Sequence, residues 1–125
     1  MEDLLLLYAL LITALLLLYV FFDVNYFLRI IFTIGWGKAF DKRKKVDEET
    51  EVYGIVTTQD LDIFFRQMNN ARYVRDLDFA RFHFYERTGL YDEITKAKGH
   101  ILQTASNIRY RRTMTLLQAY KITTK

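Results

Sequence analysis

The 125-residue chain contains no cysteine and no proline, and its five glycines are scattered. Without cysteine there is no disulfide framework and no thiol nucleophile, as suits a domain in the cytosol. No Gly-rich loop is present to cradle a phosphate, and no serine stands in a nucleophile elbow. The two histidines, His83 and His100, have no metal-ligand spacing: the first lies among phenylalanines on a helix, the second in a loop. No Pro-rich or Gly/Ser-rich tract and no internal repeat interrupts the chain.

Charge is missing where it matters most. The run LLLLYALLITALLLLYVFF, Leu4 to Phe22, is uncharged over roughly 19 residues, enough to cross a hydrocarbon core of about 30 Å as a helix. Tyr8 and Tyr19 stand toward its ends, where amphipathic rings favour the headgroup layer. A cleaved secretory signal needs a basic start and small residues at the cleavage site. This chain opens Met1, Glu2, Asp3 and offers bulky residues from Tyr19 to Asp23. Residues 1–24 are therefore expected to be a retained transmembrane anchor. Positive charge follows it, in Arg29, Lys38 and DKRKK (Asp41 to Lys45), which places the C-terminal part in the cytosol.

The net charge of +3 is concentrated in that juxtamembrane cluster, and basic residues pinned to a bilayer argue against nucleic-acid binding. NYFLRIIFTIGWGKAF (Asn25 to Phe40) is too interrupted for a second span and reads as an interfacial segment, with Trp36 at headgroup level. KKVDEETE closes residues 25–50 as a polar linker.

Residues 51–125 form the soluble part. EVYGIVTT has the β-propensity of a strand covered on both faces. Asn69 or Asn70 caps a long helix in which Tyr73, Leu77, Ala80 and Phe84 recur at helical spacing, and Gly89 closes it. Phe79, Phe82 and Tyr85 widen its apolar surface, so something is expected to wrap it. A helical turn follows over Tyr91 to Lys98. ILQTASNIRYRR (Ile101 to Arg112) alternates as a strand, and a further strand begins through Tyr120, Ile122 and Thr124. The periodicity supports an α+β class.

DLD, then MNNARY, then DFAR resembles the motif succession of the 4-hydroxybenzoyl-CoA-type thioesterases. MNNARYVRDLDFAR with ASNIRYRR is closer to their membrane-anchored branch, the thioesterase superfamily member six group. The resemblance covers nearly the whole chain and departs at Gln67, where the wider family carries histidine. It implies a partial hotdog fold, in which an antiparallel sheet wraps one central helix, with C-terminal strands missing as in a truncated form.

It also implies the function. Asp62 is the implied catalytic carboxylate, nucleophile or general base toward a thioester carbonyl, with helix N–H groups stabilising the oxyanion. Asn69, Asn70 and Tyr73 shape the substrate site and Asp60 supports the loop; Arg109, Arg111 and Arg112, by their charge, are either contacts for coenzyme A phosphates or a solvated strand end. The implied substrate is a fatty acyl-CoA, with water and without cofactor or metal. The implied partners are acyl-CoA or an acyl lipid, the membrane, and a second copy in a homodimer. The implied location is an endomembrane such as the endoplasmic reticulum. The competing expectation is a catalytically inactive hotdog protein that binds acyl lipids or a partner.

Overall fold

A computed structural model describes residues 1–125, which divide into two units, Met1–Phe32 and Thr33–Lys125. The first contains helix α1 (Glu2–Phe21), apolar on every side and burying none of its residues. By length and composition it can cross a membrane. Glu2 and Asp3 occupy its first turn, where negative charge complements the helix dipole. The chain turns extended at Phe22, and the Asp23 carboxylate accepts the Tyr26 N–H at 3.3 Å to start helix α2 (Val24–Phe40). The interfacial segment expected from the sequence is thus a helix, which runs on through Gly35 and Gly37.

In the second unit the core forms between strands β1 (Thr50–Ile55) and β2 (Ala119–Thr124) and helix α3 (Asn70–Thr88). The strands pair antiparallel, from Thr50 opposite Thr124 to Ile55 opposite Ala119. Both contact α3. Val56, Met68, Phe79, Ala80 and Phe84 are the buried apolar residues, and a fully buried side chain of the size of Phe79 contributes about 1.5–3 kcal/mol. The class is α+β, a long helix against an antiparallel sheet in a partial hotdog arrangement.

Local chemistry fixes the ends of α3. Asn69 caps it by accepting the Ala71 N–H at 2.9 Å, and Gly89 stops it at φ 73°, the left-handed conformation favourable to glycine. Helix α4 (Leu90–Lys96) follows at once.

Three sequence expectations change. Residues 101–112 form no strand: the sheet contains only β1 and β2, and alternation makes a strand only where a neighbour supplies ladder hydrogen bonds. Strand β1 is covered on one face, with Tyr53 and Ile55 exposed, because α3 lies against a single side of the sheet. The buried face of α3 is Asp76, Phe79, Ala80, His83 and Phe84, whereas Leu77 is 37% exposed at the edge of the covered surface.

The basic run is also more ordered than a linker. Arg87 donates from Nε and Nη2 to the Lys42 carbonyl at 3.0 and 2.8 Å, and the Lys44 N–H returns to the Arg87 carbonyl at 2.9 Å. Asp41 Oδ2 stands 3.0 Å from His83 Nε2, and the backbone of Gly37 is buried against the His83 ring. His83 is thereby a buried structural residue that ties residues 37–44 to α3.

Candidate functional site

The two acids of DLD have opposite surroundings. Asp60 ends a 3-10 turn (Thr58–Asp60) and is 2% exposed. Its Oδ2 accepts the Thr57 N–H at 2.8 Å and the Thr57 hydroxyl at 3.1 Å, while Oδ1 accepts from Arg72. Its carbonyl accepts the Asn69 N–H at 2.8 Å. Asp60 thus ties the turn to the helix cap, and its carboxylate is fully occupied.

Asp62 stands two residues on, half-buried, at the neck of a closed loop. Leu61 and Met68 form an antiparallel bridge, the Asp62 N–H bonds to the Gln67 carbonyl at 2.9 Å, and Phe65 donates its N–H to the Asp62 carbonyl at 3.0 Å. Asp62 Oδ1 accepts the Arg66 N–H at 3.0 Å. Its other carboxylate oxygen has no protein partner. The loop returns directly into the N-terminus of α3, where Asn69 accepts the N–H groups of Ala71, Arg72 and Tyr73, the Asn70 N–H is left over, and the helix dipole favours negative charge.

Two adjoining clefts lie beside that helix start. The smaller, about 160 Å³, is lined by Gln67, Asn70, Tyr73 and Arg111 among others. The larger, about 300 Å³, runs past Tyr73, Leu77 and Ile108 to Tyr120 and Ile122, with Arg109, Arg111 and Arg112 along it. Tyr73 bridges the two: its hydroxyl accepts the Met114 N–H at 3.0 Å, and its ring meets Tyr110 edge-on at 5.5 Å. Tyr110 in turn donates to the Asn70 carbonyl at 3.3 Å. Asn69 remains exposed as the helix cap. Asn70 and Tyr73 therefore line a cleft, Asn69 shapes the backbone beneath it, and Asp62 adjoins its rim through Gln67.

One residue escaped the sequence reading. Asp76 is 2% exposed, lines the larger cleft, and accepts the Tyr120 hydroxyl on Oδ2. The signal was available: an acid at position 76 shares a helix face with Ala80 and His83, and a carboxylate on a buried face needs a partner.

The profile of the thioesterase-like superfamily matches residues 56–125, more than half of the chain and all of the clefted region. The chain belongs to the thioesterase-like superfamily. It is 55% identical over 112 residues to Protein THEM6 of Drosophila melanogaster, which covers 90% of this chain and 58% of that protein. To Protein THEM6 of Danio rerio it is 38% identical over 110 residues, 88% of this chain and 54% of the other. For Protein THEM6 of Xenopus laevis the figures are 35% over 103 residues, 82% and 49%. The chain thus spans about half the length of the curated relatives it matches. No solved structure matches it.

Proposed function

We propose that this chain carries the anchor and the acid of a membrane-bound enzyme that hydrolyses fatty acyl-CoA thioesters, with Asp62 as the reacting carboxylate. One observation carries the assignment. Of the two acids in DLD, Asp60 spends both oxygens on Thr57 and Arg72, whereas Asp62 keeps one oxygen open in the loop that leads into α3. A group that attacks a carbonyl or deprotonates water needs such an open lone pair.

In the general-base form of the reaction, Asp62 takes a proton from water as the water oxygen adds to the thioester carbon. The carbonyl oxygen becomes an oxyanion facing the start of α3, where the Asn70 N–H is open and the helix dipole is positive. Collapse breaks the carbon–sulfur bond, and the departing thiolate takes the proton from Asp62. The acyl chain would follow Tyr73 and Leu77 along the larger cleft, and Arg109, Arg111 and Arg112 offer cations to the phosphates of coenzyme A. No cofactor enters these steps.

The same proposal places α1 across an endomembrane, with Met1 lumenal and residues after about Lys38 in the cytosol. An acceptor site for glycosylation introduced near Lys125 should stay unmodified; its modification would reverse the topology. The enzymatic part is tested on the full-length protein with a long-chain acyl-CoA: hydrolysis above background supports it.

A second reading is favoured by one feature: Asp62 does not line the larger cleft. In that reading the protein binds acyl lipids without turning them over. Saturable acyl-CoA binding with no release of thiol would select it.

A further inference from the structure

The loop that closes beyond Asp62 presents Ile63, Phe64 and Phe65 at 85%, 72% and 72% exposure. These are three large apolar side chains in succession, in a unit whose buried core residues are no more than 8% exposed. Single exposed apolar residues need no explanation, but a contiguous cluster does. We infer that this tip inserts into the lipid surface to which the chain is anchored. On the hydrolase reading given above, it holds the Asp62 site against a bilayer from which a long-chain acyl thioester is drawn.

The shape of the loop supports lipid as the occupant. The bridge between Leu61 and Met68 closes its neck, and Asp62, Phe65 and Arg66 all use their backbone N–H groups inside it. Those three N–H groups are thus paired, and the N–H groups of Ile63 and Phe64 can be met by water and phosphate at headgroup depth. Phe65 adopts a positive φ of 54°, uncommon for a bulky residue. That backbone keeps the turn tight and the neighbouring side chains outward. Three exposed apolar side chains on a tight turn suit a fluid surface. Strand addition, moreover, would take place at the edges of β1 and β2.

Arg66 adds the second chemical element. Its guanidinium lies 5.8 Å from the Phe64 ring centroid, so a cation able to meet lipid phosphate accompanies the apolar tip. Aromatic side chains accompanied by a cation match the chemistry of a membrane interface. Helix α1, able to cross a bilayer by length and composition, would tether the chain that carries the tip to that surface. A tethered loop needs little intrinsic affinity to stay engaged.

The test uses the whole chain in vesicles of phosphatidylcholine containing a minority of phosphatidylserine. Trp36 is the only tryptophan, so a Trp36→Phe background accepts single reporters: Phe64→Trp and, as an independent second, Phe65→Trp. Tyr53→Trp, at a position 71% exposed on β1, serves as the control. The quencher is phosphatidylcholine brominated near the top of its acyl chains. A tip buried roughly 5–10 Å into the headgroup boundary should lose about half of its emission to these lipids, with the control unchanged. Loop reporters quenched instead by aqueous iodide overturn the inference. So do reporters shielded from both quenchers, the pattern a second copy covering the tip would give. The readout needs no hydrolysis, so failure of the hydrolase reading and failure of insertion are distinguishable.

Discussion

Arg72 meets Asp60 through two nitrogens at once: Nε and Nη2 both stand 3.1 Å from Oδ1 of the buried carboxylate. The pair joins the turn before the loop to the first turn of α3, so it sets where that loop and Asp62 sit relative to the helix N-terminus. Removing one partner of a buried pair leaves an uncompensated charge, at about 3–5 kcal/mol when burial is complete. The Arg72 side chain is 25% exposed, so Asp60→Asn should cost about 2–3 kcal/mol after that discount. Denaturant unfolding checks it; a midpoint unchanged from wild type would show that the pair does not hold the loop.

A second contact crosses the sheet. The Tyr120 ring lies directly over Gly54, its cross-strand partner, in space that a Cβ at position 54 would occupy. That position lets the Tyr120 hydroxyl reach Asp76. Tyr120→Phe removes only the hydrogen bond to a carboxylate, about 1.5–3 kcal/mol. Gly54→Ala displaces the ring as well and should destabilise more than Tyr120→Phe. Equal stability of Gly54→Ala and wild type would mean that the ring is free to move elsewhere.

Across the exposed face of the sheet, Lys121 donates to Glu51 Oε1 at 2.9 Å and Tyr53 to Oε2 at 2.9 Å. The Lys121 hydrogen bond, followed by that of Tyr53, holds the Glu51 carboxyl below its ordinary 4.5. The bond to Glu51 raises the Lys121 ammonium above its ordinary 10.5. The depressed acid adds stability that is present above pH 4.5 and lost as pH falls through its folded value. The raised base adds stability that is present below pH 10.5 and lost as pH rises through its folded value. Lys121→Met should flatten both limbs of the stability-against-pH curve, and high salt should flatten them in the wild type, since all three groups are exposed. The Tyr53 bond leaves part of the acid limb in place; limbs unchanged by the substitution would assign them to other groups.

How far the sequence disclosed this arrangement depended on the range of the interactions. The caps of α3 were legible, because Asn69 and Gly89 act on backbone groups within a few residues. The apolar run of α1 was legible for the same reason, as a property of one continuous segment. The alternation of residues 101–112 misled, since pattern alone does not say whether a pairing strand lies alongside. The docking of residues 41–44 onto α3 was invisible: Arg87 reaches Lys42 across 45 positions, and the basic run reads as solvated whenever its partner is unknown. The resemblance separated Asp60 from Asp62, but the partners that distinguish them were not legible. Their difference arises from Arg72 and Thr57, which saturate one and leave the other open.

That difference is best measured on the full-length protein by placing Asp60→Asn and Asp62→Asn side by side, with acyl-CoA hydrolysis and denaturant unfolding followed for each. Asparagine at position 62 retains an oxygen to accept the Arg66 N–H, so folding should be preserved while turnover falls by roughly 10² or more, as for loss of a general base. Asp60→Asn should lose stability, with a smaller fall in the turnover of its folded fraction than Asp62→Asn shows. Hydrolysis that persists undiminished in a folded Asp62→Asn protein would contradict the assignment of Asp62 as the reacting group.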